Sequence, residues 1–134
     1  MATVRTEKLP VQSGDDVVRV RQLVRALAME MRFSLVEQTK LVTASSEAAR
    51  NTLVHGGGGT AEVECVDEGA RRGVRLTFRD HGPGIADVEQ AMRDGFSTGG
   101  GLGLGLGGAR RLSSEFEIAS RPGEGTVVRI ARWK

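Results

Sequence analysis

This chain of 134 residues has one cysteine, a small net charge and no long apolar run. The single cysteine, Cys65, excludes an internal disulfide and argues against a zinc site with several cysteine ligands. The formal net charge of +2 is too small to indicate a nucleic-acid-binding protein. Residues 1–12 lack the apolar core of a signal peptide, and no apolar run approaches the roughly 18 residues that span a membrane. We therefore expect a cytoplasmic protein that contacts neither nucleic acid nor membrane.

The length predicts one domain, residues 1–134, able to bury about 68% of the surface of the unfolded chain. Apolar residues recur at helical spacing in some segments and alternate in others. The predicted elements are a strand at 3–12, a helix from Asp15 to about Phe33, a helix after Ser34 that Gly56 ends, strands at 61–66, 73–80, 115–120 and 126–133, and helical segments at 86–93 and through Leu112. Because these strands have one polar face, they favour an α+β two-layer sandwich with a mixed, mostly antiparallel sheet and about three helices on one face.

The second predicted helix carries two different faces. Glu47, Asn51 and His55 are spaced four apart and form a polar stripe. A solvated surface accounts for such a stripe, but a carboxylate one turn from an amide also suits phosphoryl transfer, with the carboxylate as base and the amide oxygen on Mg²⁺. His55, at the helix end, is expected to be structural. Nearly opposite lies an arc predicted to pack on the core: Leu35, Thr39, Val42, Ser46, Ala49 and Leu53.

Glycine is concentrated in two places. Of 19 glycines, four form the run 56–59 and seven lie within residues 99–108, where three leucines alternate with them. A flexible linker would not carry those leucines, so the second cluster indicates a loop whose backbone N–H groups approach phosphate oxygens. It lacks the Lys-Ser or Lys-Thr of a P-loop, and no buried parallel strand precedes it as in a dinucleotide-binding fold. The sequence alone offers no reason for the run 56–59.

The segment Asp80-His81-Gly82-Pro83-Gly84 follows a predicted strand directly. Asp, Gly and Pro are favoured in turns, so an ordinary turn that ends the strand is one interpretation. The other is a binding site, in which Asp80 accepts from an exocyclic amine and the glycines let the backbone lie close to a planar ring.

Together these motifs resemble those of the GHKL ATPase superfamily, which has the Bergerat nucleotide-binding fold. The resemblance rests on Glu47-x-x-x-Asn51, Asp80-x-Gly82-x-Gly84, the alternating glycines 101, 103 and 105, and Gly125-Thr126, in this order. It covers residues 35–130. The segment 94–112 and the short chain without a phosphotransfer helix are most similar to the anti-sigma and switch-kinase group, and within it to the RsbT-type serine kinases of bacterial stressosomes.

The resemblance implies a role for each motif residue toward Mg²⁺ and ATP. Glu47 would be the general base and Asn51 the magnesium ligand, while Asp80 and Thr126 would bind the adenine end. The remaining implied nucleotide-binding residues are Gly82 and Gly84 beside the ring, Gly101, Gly103 and Gly105 around the phosphates, and Phe96, Ser97 and Thr98 in a lid.

The resemblance further implies a protein serine/threonine kinase that phosphorylates a STAS-domain partner in a partner-switching pathway. Once released, such a kinase can activate a PP2C-type phosphatase. An anti-sigma factor that sequesters a sigma factor is the alternative, and an ATP-binding adaptor without turnover is a third interpretation. Arg19, Arg21 and Arg25 on the first helix are candidates for partner contact, although a solvated basic face explains them equally well.

Overall fold

The computed structural model describes residues 2–92 and 105–134. The chain starts with a strand, continues with two long helices and a strand hairpin, and ends with two helical segments and a second hairpin. The elements are β1 (Ala2–Val11), α1 (Gly14–Glu30), α2 (Leu35–Val54), β2 (Gly59–Asp67), β3 (Arg72–Asp80), α3 (Val88–Ala91), α4 (Gly105–Arg111), β4 (Glu115–Arg121) and β5 (Gly125–Trp133). No helix in these two ranges is long and apolar enough to span a membrane.

The five strands form one sheet in the order β1-β2-β3-β5-β4. All four pairings in the described ranges are antiparallel, including the pairing of β3 with β5 from the two different hairpins. The predicted α+β fold with a mostly antiparallel sheet is confirmed. The pairing of β3 with β5 places the ends of two distant segments side by side at the centre of the sheet.

The core lies between one face of the sheet and the helices. Alternate residues of β3 and β5, such as Leu76, Phe78 and Ile130, are fully buried on this face. Cys65 of β2 is buried on it as well, as the alternation predicted, and burial raises the pKa of its thiol. The other face is polar and holds the Arg75–Glu64 ion pair, with Nε and Oε1 3.1 Å apart.

Helix α1 packs against the sheet through the predicted residues. Ser13 caps its first turn by accepting from the backbone N–H of Asp16, at 3.2 Å. The buried residues of α1 include Val17, Val20, Val24, Leu27 and Ala28, and Met31 just after it is buried too.

The predicted packing face of α2 is wrong in part. Leu35 is 71% exposed and Thr39 is exposed, whereas the buried line runs through Leu41, Ala44 and Ala48. Helix α2 contacts the sheet, α1 and α4, so small residues on the sheet side are buried and no single apolar arc marks the core. Of the polar stripe, Glu47 is buried, whereas Asn51 and His55 are partly buried.

Candidate active site

Asp80 and Thr126 lie opposite each other at the ends of β3 and β5. Both share the sheet face of the core residues Phe78 and Val128, and they are 4% and 2% exposed. Oδ1 of Asp80 accepts the backbone N–H of Gly82 at 2.9 Å. Because Oδ1 is the oxygen of this bond, Oδ2 of the same buried carboxylate can accept from a bound amino group.

The glycine run 56–59 brings the end of α2 against this strand end. A Cβ at Gly56 would overlap the carboxyl group of Asp80, and one at Gly59 would overlap the carbonyl of Arg79. Gly57 and Gly58 have φ of +75° and +105°, which side chains rarely adopt. The run therefore lets the chain leave the helix and enter β2 while its backbone touches the buried carboxylate.

The segment that follows Asp80 is held from two sides. Nε2–H of His55, at the end of α2, donates to the carbonyl of Gly84 at 2.9 Å. The N–H of Gly123 in the β4–β5 turn donates to the carbonyl of Pro83 at 2.7 Å. Gly84 has φ of +77°, and a Cβ there would overlap the carbonyl of Arg121. Residues 81–85, which we call the ledge, are thus held in place beside Asp80. They do more than form a turn that ends a strand.

Ser120 is a site residue that the sequence reasoning missed. Its hydroxyl is hydrogen-bonded to that of Thr126 at 2.8 Å and accepts the N–H of Ile85 at 2.7 Å. Ser120 therefore ties the hydroxyl of Thr126 to the ledge. The signal was available, because the predicted hairpin around residues 121–125 already aligns residue 120 with residue 126.

Glu47 lies about two turns before the end of α2 and is only 5% exposed. Its Oε1 accepts the N–H of Gly105, the first residue of α4, at 3.0 Å. A carboxylate is favourable beside the unpaired N–H groups at the start of a helix. The side chain is therefore held between two helices, and its Oε2 makes no hydrogen bond within the described residues.

Asn51 follows Glu47 by one turn on the same helix, and its Nδ2 is buried without a hydrogen-bond partner in the described part of the chain. An amide in this state has capacity for a bound group. Among residues 2–92 and 105–134, no group of three or more His, Cys, Asp or Glu side chains could hold a metal ion alone. The unpartnered Nδ2 is a donor that suits a phosphate oxygen, and a magnesium ion that arrives with phosphates and waters would need only the oxygen of the same amide from the protein.

The structure thus brings Asp80, Gly82, Gly84 and Thr126 together at one end of α2, with Asn51 and Glu47 along the same helix. Gly105 also joins the site, through Glu47. The predicted lid residues Ser97 and Thr98 and the predicted phosphate-loop residues Gly101 and Gly103, together with Phe96, lie outside the described residues.

Comparison with known proteins gives this arrangement a family. Residues 36–134 match the family of histidine kinase-, DNA gyrase B- and HSP90-like ATPases. The chain belongs to this ATPase family. The matched range starts in α2 and includes every described site residue, so the resemblance drawn from the motifs is confirmed.

Relatives of this GHKL ATPase point to a kinase. The chain is 44% identical over 118 residues to the serine/threonine-protein kinase RsbT of Bacillus subtilis, covering 88% of this chain and 89% of that protein. It is 34% identical over 119 residues to an anti-sigma F factor of Anoxybacillus flavithermus, covering 84% of this chain and 80% of that protein. The similarity supports a kinase function.

A solved structure of low identity confirms the fold. The GHKL ATPase superimposes with a TM-score of 0.65 on a crystal structure of the RsbU and RsbW domains of a Mycobacterium tuberculosis protein. The identity is 21%, and the match covers 98% of this chain and 33% of that one.

Proposed function

We propose that the protein is an ATP-dependent protein serine/threonine kinase. The observation that carries the proposal is the buried carboxylate of Glu47, one helical turn from Asn51 and fixed by the N–H of Gly105. A protein that only bound nucleotide would not need a base beside the magnesium ligand. The similarity to RsbT agrees with this assignment.

The adenine end of ATP would lie against the ledge. Oδ2 of Asp80 accepts from the exocyclic amino group, and Gly82 and Gly84 let the backbone lie beside the ring. Thr126 contributes its hydroxyl, directly or through a water, in an orientation that its hydrogen bond to Ser120 sets. These contacts select adenine over a nucleobase that has no amino group there, because a buried acceptor left unpaired costs about 1–3 kcal/mol.

The phosphates would lie along α2 toward the predicted loop of Gly101, Gly103 and Gly105 and the lid of Ser97 and Thr98. The oxygen of Asn51 holds Mg²⁺, which offsets the charge that the phosphates carry. Most of the rate enhancement then comes from orientation and from fixed donors.

Glu47 would act on the acceptor. Its Oε2 takes the proton of the serine hydroxyl as that oxygen bonds to the γ-phosphorus of ATP, and the bond to the β–γ bridging oxygen breaks to release ADP. The bond from Gly105 to Oε1 orients the carboxylate for this transfer.

The acceptor would be a serine or threonine of a STAS-domain protein, such as a stressosome scaffold or an antagonist. A PP2C-type phosphatase would be the output partner in a cytoplasmic partner-switching pathway. A phosphoryl group adds a charge of about −1.5 to −2 to the acceptor, which is enough to break a protein interface.

The second candidate function is a nucleotide-dependent anti-sigma factor. The 34% identity to an anti-sigma F factor favours it. In that case the nucleotide site would organise a surface that sequesters a sigma factor, and phosphorylation of a third protein would release it.

The test follows labelled γ-phosphate from Mg-ATP into proteins of a lysate of the source organism. Wild type should label a small protein on serine or threonine, and Glu47→Gln should do so about 10²- to 10⁴-fold more slowly with normal ATP binding. Glu62→Gln, a carboxylate on the polar sheet face, is the matched control and should behave as wild type. If wild type binds ATP and labels nothing, the ATP-binding adaptor without turnover is favoured, because both the kinase and the anti-sigma function transfer phosphate to a partner. Full transfer by Glu47→Gln would assign the base elsewhere.

A further inference from the structure

A cavity of about 530 Å³ lies between α1 and α2, away from the ledge that holds Asp80. Its polar lining comes from both helices: Arg21, Gln22, Arg25, Thr43, Ser46 and Arg50. Glu47 also lines it. The carboxylate proposed as the base therefore borders this cavity as well as the helix face that carries Asn51.

The cavity carries an excess of positive charge, because three arginines and one carboxylate, that of Glu47, line it. Within residues 2–92 and 105–134, none of its three arginines forms an ion pair, whereas six other arginines there do: Arg5, Arg19, Arg71, Arg72, Arg75 and Arg129. Nε of Arg50 is buried without a hydrogen-bond partner in those ranges. A concave surface with an excess of one charge attracts the opposite charge more strongly than a flat one does.

The spacing of the charges suits carboxylates. Arg21 and Arg25 lie one turn apart on α1 and are exposed, while Arg50 approaches from α2 and is partly buried. Guanidinium groups bind carboxylates through paired, charge-assisted hydrogen bonds. The volume lies within the range of about 300–1,000 Å³ that is usual for ligand pockets, so the cavity has room for more than a single small anion.

We propose that this cavity docks an acidic segment of the acceptor protein, so that Asp or Glu side chains near the target hydroxyl bind Arg21, Arg25 and Arg50. The inference rests on the kinase function proposed above, because the hydroxyl must then lie beside Glu47. It divides the site in two: nucleotide on the Asn51 side of Glu47, acceptor on the arginine side.

The experiment uses a fluorescein-labelled short peptide with one serine flanked by glutamates, and the same peptide with glutamines in their place. In anisotropy measurements at low salt, the wild-type protein should bind the glutamate peptide at least about tenfold more tightly than the glutamine peptide. This is the difference expected for a charge-assisted hydrogen bond. High salt should reduce this preference.

The preference should disappear in Arg21→Glu/Arg25→Glu and persist in Lys40→Glu/Arg79→Glu. The control pair makes the same change in net charge, at exposed residues that do not line the cavity. Both variants should keep the ADP affinity and unfolding midpoint of the wild type, and Arg21→Gln/Arg25→Gln serves as the test variant if the reversal unfolds the chain.

Equal binding of the two peptides by wild type, or equal loss in the test and control variants, would overturn the proposal. Peptide binding needs no phosphoryl transfer. A protein that prefers the glutamate peptide but transfers no phosphate would contradict the kinase function and leave the docking cavity in place.

Discussion

At the scale of the residue, Asp80 combines a common local contact with an uncommon position. Asp67 makes the same contact at the other end of the sheet, where its Oδ1 accepts the N–H of Gly69 at 2.7 Å. Only Asp80, however, is buried against the end of α2 and paired with Thr126. The two carboxylates therefore share the turn contact and differ in burial and in the neighbours that surround them.

Asp80→Asn should weaken ADP binding strongly in calorimetry. The amide cannot place an acceptor on Oδ1 for Gly82 and a second acceptor toward the adenine amino group at once, so one donor is left unpaired at a cost of about 1–3 kcal/mol, roughly five- to 150-fold in affinity. Asp67→Asn is the matched control and should bind ADP as wild type does. Unchanged affinity in Asp80→Asn would remove Asp80 from the adenine site.

At the scale of the element, α2 owes its start to a capping box. The hydroxyl of Ser34 accepts the N–H of Glu37, and the carboxylate of Glu37 accepts the N–H of Ser34, each at 3.1 Å. That second bond lowers the pKa of Glu37 below its ordinary value of 4.5. The carboxylate therefore stabilises the fold above pH 4.5, and this contribution is lost as the pH falls through the lowered pKa.

Ser34→Ala should lower the free energy of unfolding by about 0.5–2 kcal/mol in urea denaturation, because the first turn of α2 loses its cap. Thr39→Ala, at an exposed position of the same helix, should change it by no more than about 0.5 kcal/mol. A cost no larger at residue 34 than at residue 39 would mean that packing alone sets where the helix begins.

At the scale of the whole molecule, the site depends on the complete sheet. Asp80 and Thr126 meet only when β3 pairs with β5, and these strands belong to different hairpins. The ledge further requires the β4–β5 turn and the end of α2. A ligand held there binds the folded state and not the unfolded chain.

Mg-ADP at a hundredfold excess over its Kd should therefore raise the free energy of unfolding by about 2.7 kcal/mol. Denaturation with and without nucleotide measures this, and Asp80→Asn at the same concentration should gain much less. Binding seen by calorimetry without a shift in the transition would mean that the nucleotide binds a locally folded segment.

Much of this arrangement could be predicted from the sequence, because the informative signals are local. Alternation identified β2 and β3, and Ser34 marked the start of α2. The face of α2 could not be predicted, since its burial depends on α1 and α4 as well as the sheet. The reason for Gly56 was equally hidden, because the carboxyl of Asp80 that it contacts lies far away in sequence.

The contact of Gly56 with Asp80 means that α2 sets the distances from the adenine site to Asn51 and Glu47. A helix rises about 1.5 Å per residue, so Asn51 and Glu47 stand on the order of 7 Å and 13 Å along the axis from the end that touches the adenine site. A nucleotide whose adenine is bound at that end reaches Asn51 before Glu47. The number of its phosphates therefore decides whether it extends as far as Glu47. One residue inserted between Asn51 and Gly56 would rotate Asn51 and Glu47 by about 100° around the helix axis relative to the adenine site. Neither side chain would then face a nucleotide bound at that site.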